Sequence, residues 1–276
     1  MMLASSAASG GGGYSGPGDV VTTNWIAFNG LRAFSSATRG QKLANVCDAA
    51  DAHCADMLSD ATTGNAVVPS SNPNCSSSGN CTVKTLYDQS GSLACASTAC
   101  DLTQATIANR PTLTIGCTGG KVCLTFTATQ SLSSGSVSPF ASQPFSGSLV
   151  GERTGNFTTQ MIFTGAVGGD VQVAFLSSAN TGYVYAGTVA STTVSDSAFH
   201  SIQGVFNNAS SVLDVDGSSS AVSSGVNNFT TGICMSNSCA GGFGITGNIA
   251  EVAWWAADKS ASFAAMNTNQ HTYWGF

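Results

Sequence analysis

From residue 80 onward, apolar and polar residues alternate in short runs separated by Gly, Ser and Asn. The alternation predicts strands at 82–87 (TVKTLY), 112–116 (TLTIG), 121–127 (KVCLTFT), 147–153 (GSLVGER) and 158–164 (TTQMIFT). Further strands are predicted at 171–176 (VQVAFL), 183–189 (YVYAGTV), 201–206 (SIQGVF), 211–216 (SVLDVD) and 248–255 (NIAEVAWW). Many short strands with turn-rich connections point to an all-β, antiparallel sandwich. Upstream the pattern changes. Residues 26–46 space their apolar groups irregularly, which predicts a short helix over Gly30–Ala37 ended by Gly40. Residues 47–64 read as a polar loop, because Asp48, Asp51, Asp56 and Asp60 lack the spacing of a metal-binding loop. Residues 259–272 read as a terminal helix or turn. Residues 1–18 form a Gly/Ser-rich arm that ends in Gly16-Pro17-Gly18, and no break in composition divides 19–276, so a single domain is expected there.

Composition narrows the function classes. The 276 residues are 42% hydrophobic, enough for a full core, but only 8% are charged, against the usual quarter. The net charge is −6 and the eight Lys and Arg are scattered, so no basic patch is available for nucleic acid. No stretch reaches the roughly 18 apolar residues needed to span a bilayer as a helix, and no membrane insertion is expected.

The ten cysteines fall into sequence neighbours: Cys47/Cys54, Cys75/Cys81, Cys95/Cys100, Cys117/Cys123 and Cys234/Cys239. None forms C-x-x-C and no paired histidines accompany them, which argues against zinc. Five local disulfides are expected, with buried free thiols as the alternative. Disulfides imply an oxidising environment. Yet MMLASSAASGGGGYSG has neither the basic start nor the apolar core of a secretory leader. The expectation is either a replaced leader or oxidation after release from a cytosol, as on the surface of a virus particle.

Three stretches carry a family resemblance. HSIQGVFNNASSVLDVDGSSS at 200–220, with a tight turn at Asp216-Gly217, resembles the paired strands of laminin-G and concanavalin A-like jelly rolls. GNIAEVAWWAADKSASFAAMNTNQHTYWG at 247–275 resembles the closing strand and helix of that fold, with Glu251 where such domains often carry a sheet-end acid. The third is the order Gly16-Pro17-Gly18-Asp19, Leu31–Ser36, then Cys75, Cys81 and Leu86-Tyr87-Asp88-Gln89-Ser90-Gly91. It is similar to the catalytic domain of the B-type α-L-arabinofuranosidases over about residues 16–115. The resemblance implies a concanavalin A-like sandwich. It does not bring the catalytic acids. The family's nucleophilic Glu strand corresponds to Tyr183–Ala190, which has no acid, and its acid/base Asp corresponds to Gly241-Gly242-Phe243-Gly244, where Phe stands in its place. A retaining glycosidase needs two convergent carboxyls, and the acids after residue 102 (Glu152, Asp170, Asp196, Asp214, Asp216, Glu251 and Asp258) offer no evident pair.

No other catalytic reading is stronger. His53, His200 and His271 lie in unrelated contexts, no G-x-S-x-G elbow is present, and Gly10–Gly13 is no phosphate loop. No catalytic residue, metal or cofactor is therefore expected. Tyr87, Asp88 and Gln89 read as scaffold at a strand end, with Asp88 capping the turn. Trp25, Trp254, Trp255 and Trp274 are the candidate glycan-binding aromatics, weighed against a packing role. The leading expectation is a non-enzymatic surface protein of a virus particle, a bacteriophage decoration or fibre component. Its partners would be capsid or tail proteins, copies of itself and host-surface glycans, with docking through the arm. The alternatives are a secreted carbohydrate-binding module and an active arabinofuranosidase.

Overall fold

A computed structural model describes residues 13–95, 98–134, 142–155, 160–165, 171–175, 181–228, 232–236 and 244–276. Its first strands are β1 (Trp25–Gly30), β2 (Lys42–Asp48), β3 (Cys54–Ser59), β4 (Ala66–Val67), β5 (Cys81–Leu86) and β6 (Leu102–Thr103). Next come β7 (Thr112–Thr114), β8 (Cys123–Phe126), β9 (Leu132–Ser133), β10 (Phe145–Arg153), β11 (Gln160–Gly165), β12 (Gln172–Phe175) and β13 (Thr181–Tyr185). The chain closes with β14 (Val189–Thr193), β15 (His200–Phe206), β16 (Ser211–Val215), β17 (Ser218–Val222), β18 (Ile233–Met235) and β19 (Gly247–Trp255). Two α-helices, α1 (Pro17–Val20) and α2 (Phe263–Trp274), flank the strands.

Among the described residues every strand pairing is antiparallel. One sheet runs β17-β16-β15-β10-β19-β1. The other runs β14-β13-β12-β11-β18-β9-β6-β5-β2-β3-β4. Strands β8 and β7 link β19 to β5 and join the sheets along one edge. This is the antiparallel β-sandwich that the alternation predicts. Glycines let the layers meet: a Cβ on Gly147 would stand 2.4 Å from the Trp254 ring, and one on Gly204 would stand 2.6 Å from Val184 of the opposite sheet. Phe145, Phe206 and Trp254 fill the space between, the two phenylalanine rings stacked at 4.8 Å.

The central strands β10, β15 and β19 are buried on both faces. The outer face carries small or polar residues (Ser146, Ser148, Ser201, Gln203, Glu251), because α2 lies across it. Helix α2 buries Phe263, Met266, Gln270 and Trp274 at helical spacing. It ends at Gly275 in the left-handed region, whose N–H donates to the His271 carbonyl.

The first 64 residues differ from expectation. No α-helix covers Gly30–Ala37. Strand β1 fills its start and only a 3-10 turn, Ser36–Thr38, follows. Leu31, Arg32 and Ala33 are fully buried in extended chain, and Arg32 bridges Asn65, so burial overrides the local helical tendency. The supposed loop 47–64 contains β3. The Cys47–Cys54 disulfide closes the β2–β3 hairpin, and the Asp48 carboxylate accepts from the N–H groups of Ala52 and His53 inside the turn. The predicted strand 183–189 is the hairpin of β13 and β14, turned at Gly187 with φ of 102°. Residues 13–18, assigned to the arm on composition, lie along the body. The Gly18 N–H donates to the Phe34 carbonyl and Asp19 accepts from Gly16 and Ser36. Residues 1–12 lie outside the described residues.

Cysteines 47–54, 75–81, 95–100 and 117–123 are bonded. Cys234 is also disulfide-bonded, while Cys239 lies outside the described residues. The four disulfides whose two cysteines both lie among the described residues fit an oxidising environment. Each closes a short loop, so replacing Cys117 and Cys123 by serine is expected to cost about 2 kcal/mol. Urea denaturation reads this, and a loss under about 0.5 kcal/mol would contradict a stapling role.

Candidate functional site: a cleft between the N-terminal segment and the last helix

The site rests on a buried ion pair. Arg32 follows β1 and Glu251 lies in β19, and both are 1% exposed or less. The guanidinium donates to the carboxylate through Nε at 2.5 Å and Nη2 at 2.8 Å, a bidentate match. Glu251 also accepts from Gln270 Nε2 at 2.9 Å and from Trp274 Nε1 at 3.0 Å. Gln270 continues the network to Ser148 and Ser201. Burial works against the Arg32 charge, but Glu251 outweighs it and raises the pKa above its already high value. Glu251, read from sequence as a sheet-end acid, is thus mid-strand and fully engaged in holding α2 on the sheet.

Above this pair, Tyr273 presents its ring to two cations, Arg32 and Lys121, each 4.7 Å from the centroid. Tyr14 meets the same ring edge-on at 5.8 Å. Its hydroxyl donates to the Ala33 carbonyl. Gly64 makes room: a Cβ there would stand 2.7 Å from the Tyr14 ring, at a φ of 69°. Lys121 Nζ donates to Asn65 Oδ1 at 2.9 Å. Asn269 Nδ2 donates to the Ser15 carbonyl at 2.8 Å, while its buried Oδ1 has no partner. Burial pushes the phenols of Tyr14 and Tyr273 far up, so both stay protonated at physiological pH.

Between these groups lies an open cleft of about 580 Å³, also walled by Thr63, Thr268 and Thr272. That volume suits a small ligand. Among the described residues the walls combine two tyrosine rings, hydroxyls, amides and one ammonium, and no carboxylate. Four distant segments supply them, and none carries a local motif. The one available signal was a lone aromatic, Tyr14, within a Gly/Ser run.

A second cleft, of about 570 Å³, includes Tyr87, Asp88 and Gln89. Here the polar groups are already used. Asp88 accepts from the N–H groups of Phe28 and Ser90 and from the Ser90 hydroxyl. Gln89 accepts from Phe34 N–H and donates to the Gly30 carbonyl. Tyr87 donates to Asp56 at 2.9 Å, and Asp101 accepts from Asp88 N–H. The run stitches β5 to β1. Burial raises the pKa of both Asp88 and Asp101.

Trp254, Trp255 and Trp274 are 1% exposed or less. Trp25 is half-buried against Phe28, Phe34 and Trp255. Their large apolar area is spent on the core, which corrects the expectation for the three buried rings. Asp216 and Gly217, with φ of 51° and 83°, make the β16–β17 turn. Of the two segments matched to the family's catalytic strands, Tyr183–Ala190 is a hairpin without acids, and Gly241–Phe243 lies outside the described residues. The clusters Cys47–Asp51–Cys54 and Asp88–Cys95–Cys100 have their sulfurs in disulfides, leaving no thiolate for a metal.

Sequence reasoning did not foresee that Ser195, His200, Asp216 and His271 converge. His200 Nδ1 lies 2.5 Å from Asp216, and Nε2 lies 2.8 Å from the Ser195 carbonyl and 3.1 Å from its hydroxyl. Asp216 faces one ring nitrogen and favours the protonated ring, while Ser195 offers both its carbonyl and its hydroxyl to the other. Burial would lower the His200 pKa, but Asp216 outweighs it and raises it above 6.5. Burial would likewise raise Asp216, but His200 outweighs it and lowers the carboxyl below 3.8. The histidine contribution is complete below its unfolded value and is lost as pH rises through the folded one. The aspartate contribution is present above its unfolded value and is lost as pH falls through the folded one. The pair therefore stabilises most in the mildly acidic range between them. Urea midpoints measured against pH are expected to show this dome, flattened in Asp216→Asn. An identical profile in the variant would contradict it.

With this geometry in view, comparison with solved structures identifies the fold as one shared with α-L-arabinofuranosidases. A glutamate-to-glutamine variant of a GH54 α-L-arabinofuranosidase soaked with 4-nitrophenyl α-L-arabinofuranoside superposes with a TM-score of 0.72 at 15% identity, covering 94% of this chain and 65% of that one. An arabinofuranosidase complexed with arabinofuranosyl-α-1,2-xylobiose superposes at 0.70 with 13% identity and the same coverage. The chain thus spans about two thirds of the length of these enzymes. No protein-family model and no curated protein sequence matches it.

Proposed function

We propose that this chain binds carbohydrate without cleaving it, and does so in the cleft between Tyr14 and Tyr273. The observation that carries the reading is the cleft's composition: ring surface, amides and hydroxyls around about 580 Å³, with no carboxylate on its walls. Sugars present hydroxyls that need such donors and acceptors, and hydrophobic ring faces that suit tyrosine. Glycosidic cleavage needs two carboxyl groups at the bond; beside this cleft, Glu251 is buried and bonded to three side chains, and Asp60 accepts from the N–H groups of Thr62 and Thr63 and from the Thr63 hydroxyl. The arabinofuranosidase fold supports a saccharide ligand by analogy alone. A place on a virus particle, with the first residues of the arm docked to a capsid or tail protein, is a separate proposal that draws no support from the fold.

The test blocks the cleft without touching the core. Thr268 is exposed on α2, so Thr268→Trp fills the opening from outside. Calorimetric titration with short pentose and hexose oligosaccharides is expected to give binding that falls at least tenfold in the variant at unchanged thermal stability. No sugar release is expected from wild type. Binding indifferent to Thr268→Trp, or steady release of monosaccharide, would refute the reading.

A further inference from the structure

Building on the carbohydrate reading, we propose that the saccharide taken by the cleft carries an anionic group, and that Lys121 binds it. Arg32, Lys42, Lys84, Arg110 and Arg153 each lie within ion-pair distance of an Asp or Glu. Arg39 and Lys259 are tied to carbonyl, hydroxyl or amide oxygens and line neither cleft. Lys121 is different. It is half-buried, lines the Tyr14–Tyr273 cleft, and among the described residues makes no salt bridge.

Its position is built. Lys121 follows a tight turn in which Gly119 and Gly120 have φ of 56° and 72°. A Cβ on Gly119 would stand 2.2 Å from the Trp274 carbonyl, so the turn can sit this close to α2 only as glycine. Thr118 Oγ1 donates to the same carbonyl. The ammonium then rests over the Tyr273 ring and donates to Asn65. Of its three donors, two remain for a ligand. Arg32 beneath the ring is neutralised by Glu251, so the uncompensated charge at this cleft is that of Lys121. A neutral sugar leaves that charge unused. A carboxylate or sulfate on the sugar meets it, in a chain whose net charge of −6 repels anions elsewhere.

Calorimetric titration of the full chain with a galacturonate trisaccharide, a sulfated trisaccharide and a neutral trisaccharide of equal length is the test. At least one anionic ligand is expected to bind about tenfold or more tightly than the neutral one, as a charge-assisted contact gives. That advantage is expected to vanish in Lys121→Met, which keeps the stem, and to return in Lys121→Arg. It is also expected to shrink in high salt. Equal binding of all three sugars to wild type overturns the anion inference and leaves the cleft reading standing. No binding by any of them overturns both.

Discussion

Glu251→Ala is expected to destabilise the protein by about 3–5 kcal/mol, since it leaves a buried guanidinium without its partner. The magnitude follows from burial. Arg32 has no exposed side-chain surface, and its Nη1 already lacks a hydrogen bond. The variant also removes the acceptor for Gln270 and Trp274, so α2 loses its polar anchor together with the pair. Replacing Arg32 and Glu251 together by methionine is expected to recover much of the loss, because the desolvation cost of the charges goes with them. Urea denaturation of Arg32→Met, Glu251→Met and the double variant measures the coupling. A loss below about 1 kcal/mol for Glu251→Ala would show that the pair is not closed to water.

Trp274→Ala is expected to cost a similar amount, about 3–5 kcal/mol for a large ring removed from a packed core. Trp274 is fully buried, and its backbone carbonyl receives the turn that carries Lys121. The loss should therefore reach the cleft, weakening sugar binding as well as folding. Trp274→Phe separates the two parts. It restores most of the volume and leaves Glu251 short of one donor, about 1–2 kcal/mol. If Trp274→Ala folds as stably as wild type while losing sugar binding, the ring is a ligand platform, contrary to its position here.

These two variants bear on what could be read from the chain beforehand. The sandwich was legible where short apolar runs are bounded by Gly, Ser and Asn, including β10, β15 and β19, which are buried on both faces. It was not legible in β2, where the apolar residues of KLANVCD are irregularly spaced. Nor was it in β3, whose Cys54 and Asp56 read as loop but are pinned by a disulfide and by Asn45. In the LYDQSG run, Asp88 and Gln89 bond to β1 and Tyr87 bonds to Asp56 of β3. The cleft was invisible because Tyr14, Asn65, Lys121 and Tyr273 come from four segments brought together by tertiary packing. The tryptophans misled for the opposite reason: aromatic residues suit both sugars and cores, and here Trp254, Trp255 and Trp274 went to the core while Tyr14 and Tyr273 are only half-buried.

The resemblance to arabinofuranosidases also takes a definite form. What is shared is a backbone path over 94% of the chain at 15% identity, which speaks for the scaffold and not for its chemistry. The cleft proposed here draws its function from side chains that the fold does not dictate.

The central claim is that a saccharide sits between Tyr14 and Tyr273, beside Lys121. A crystal structure of the full chain soaked with the tightest-binding trisaccharide tests it most directly. The account predicts sugar density in this cleft, with hydroxyls near Asn65 and Asn269 and an anionic group near the Lys121 ammonium. Density at the Tyr87–Asp101 cleft or on another face, with this cleft unoccupied, would contradict it.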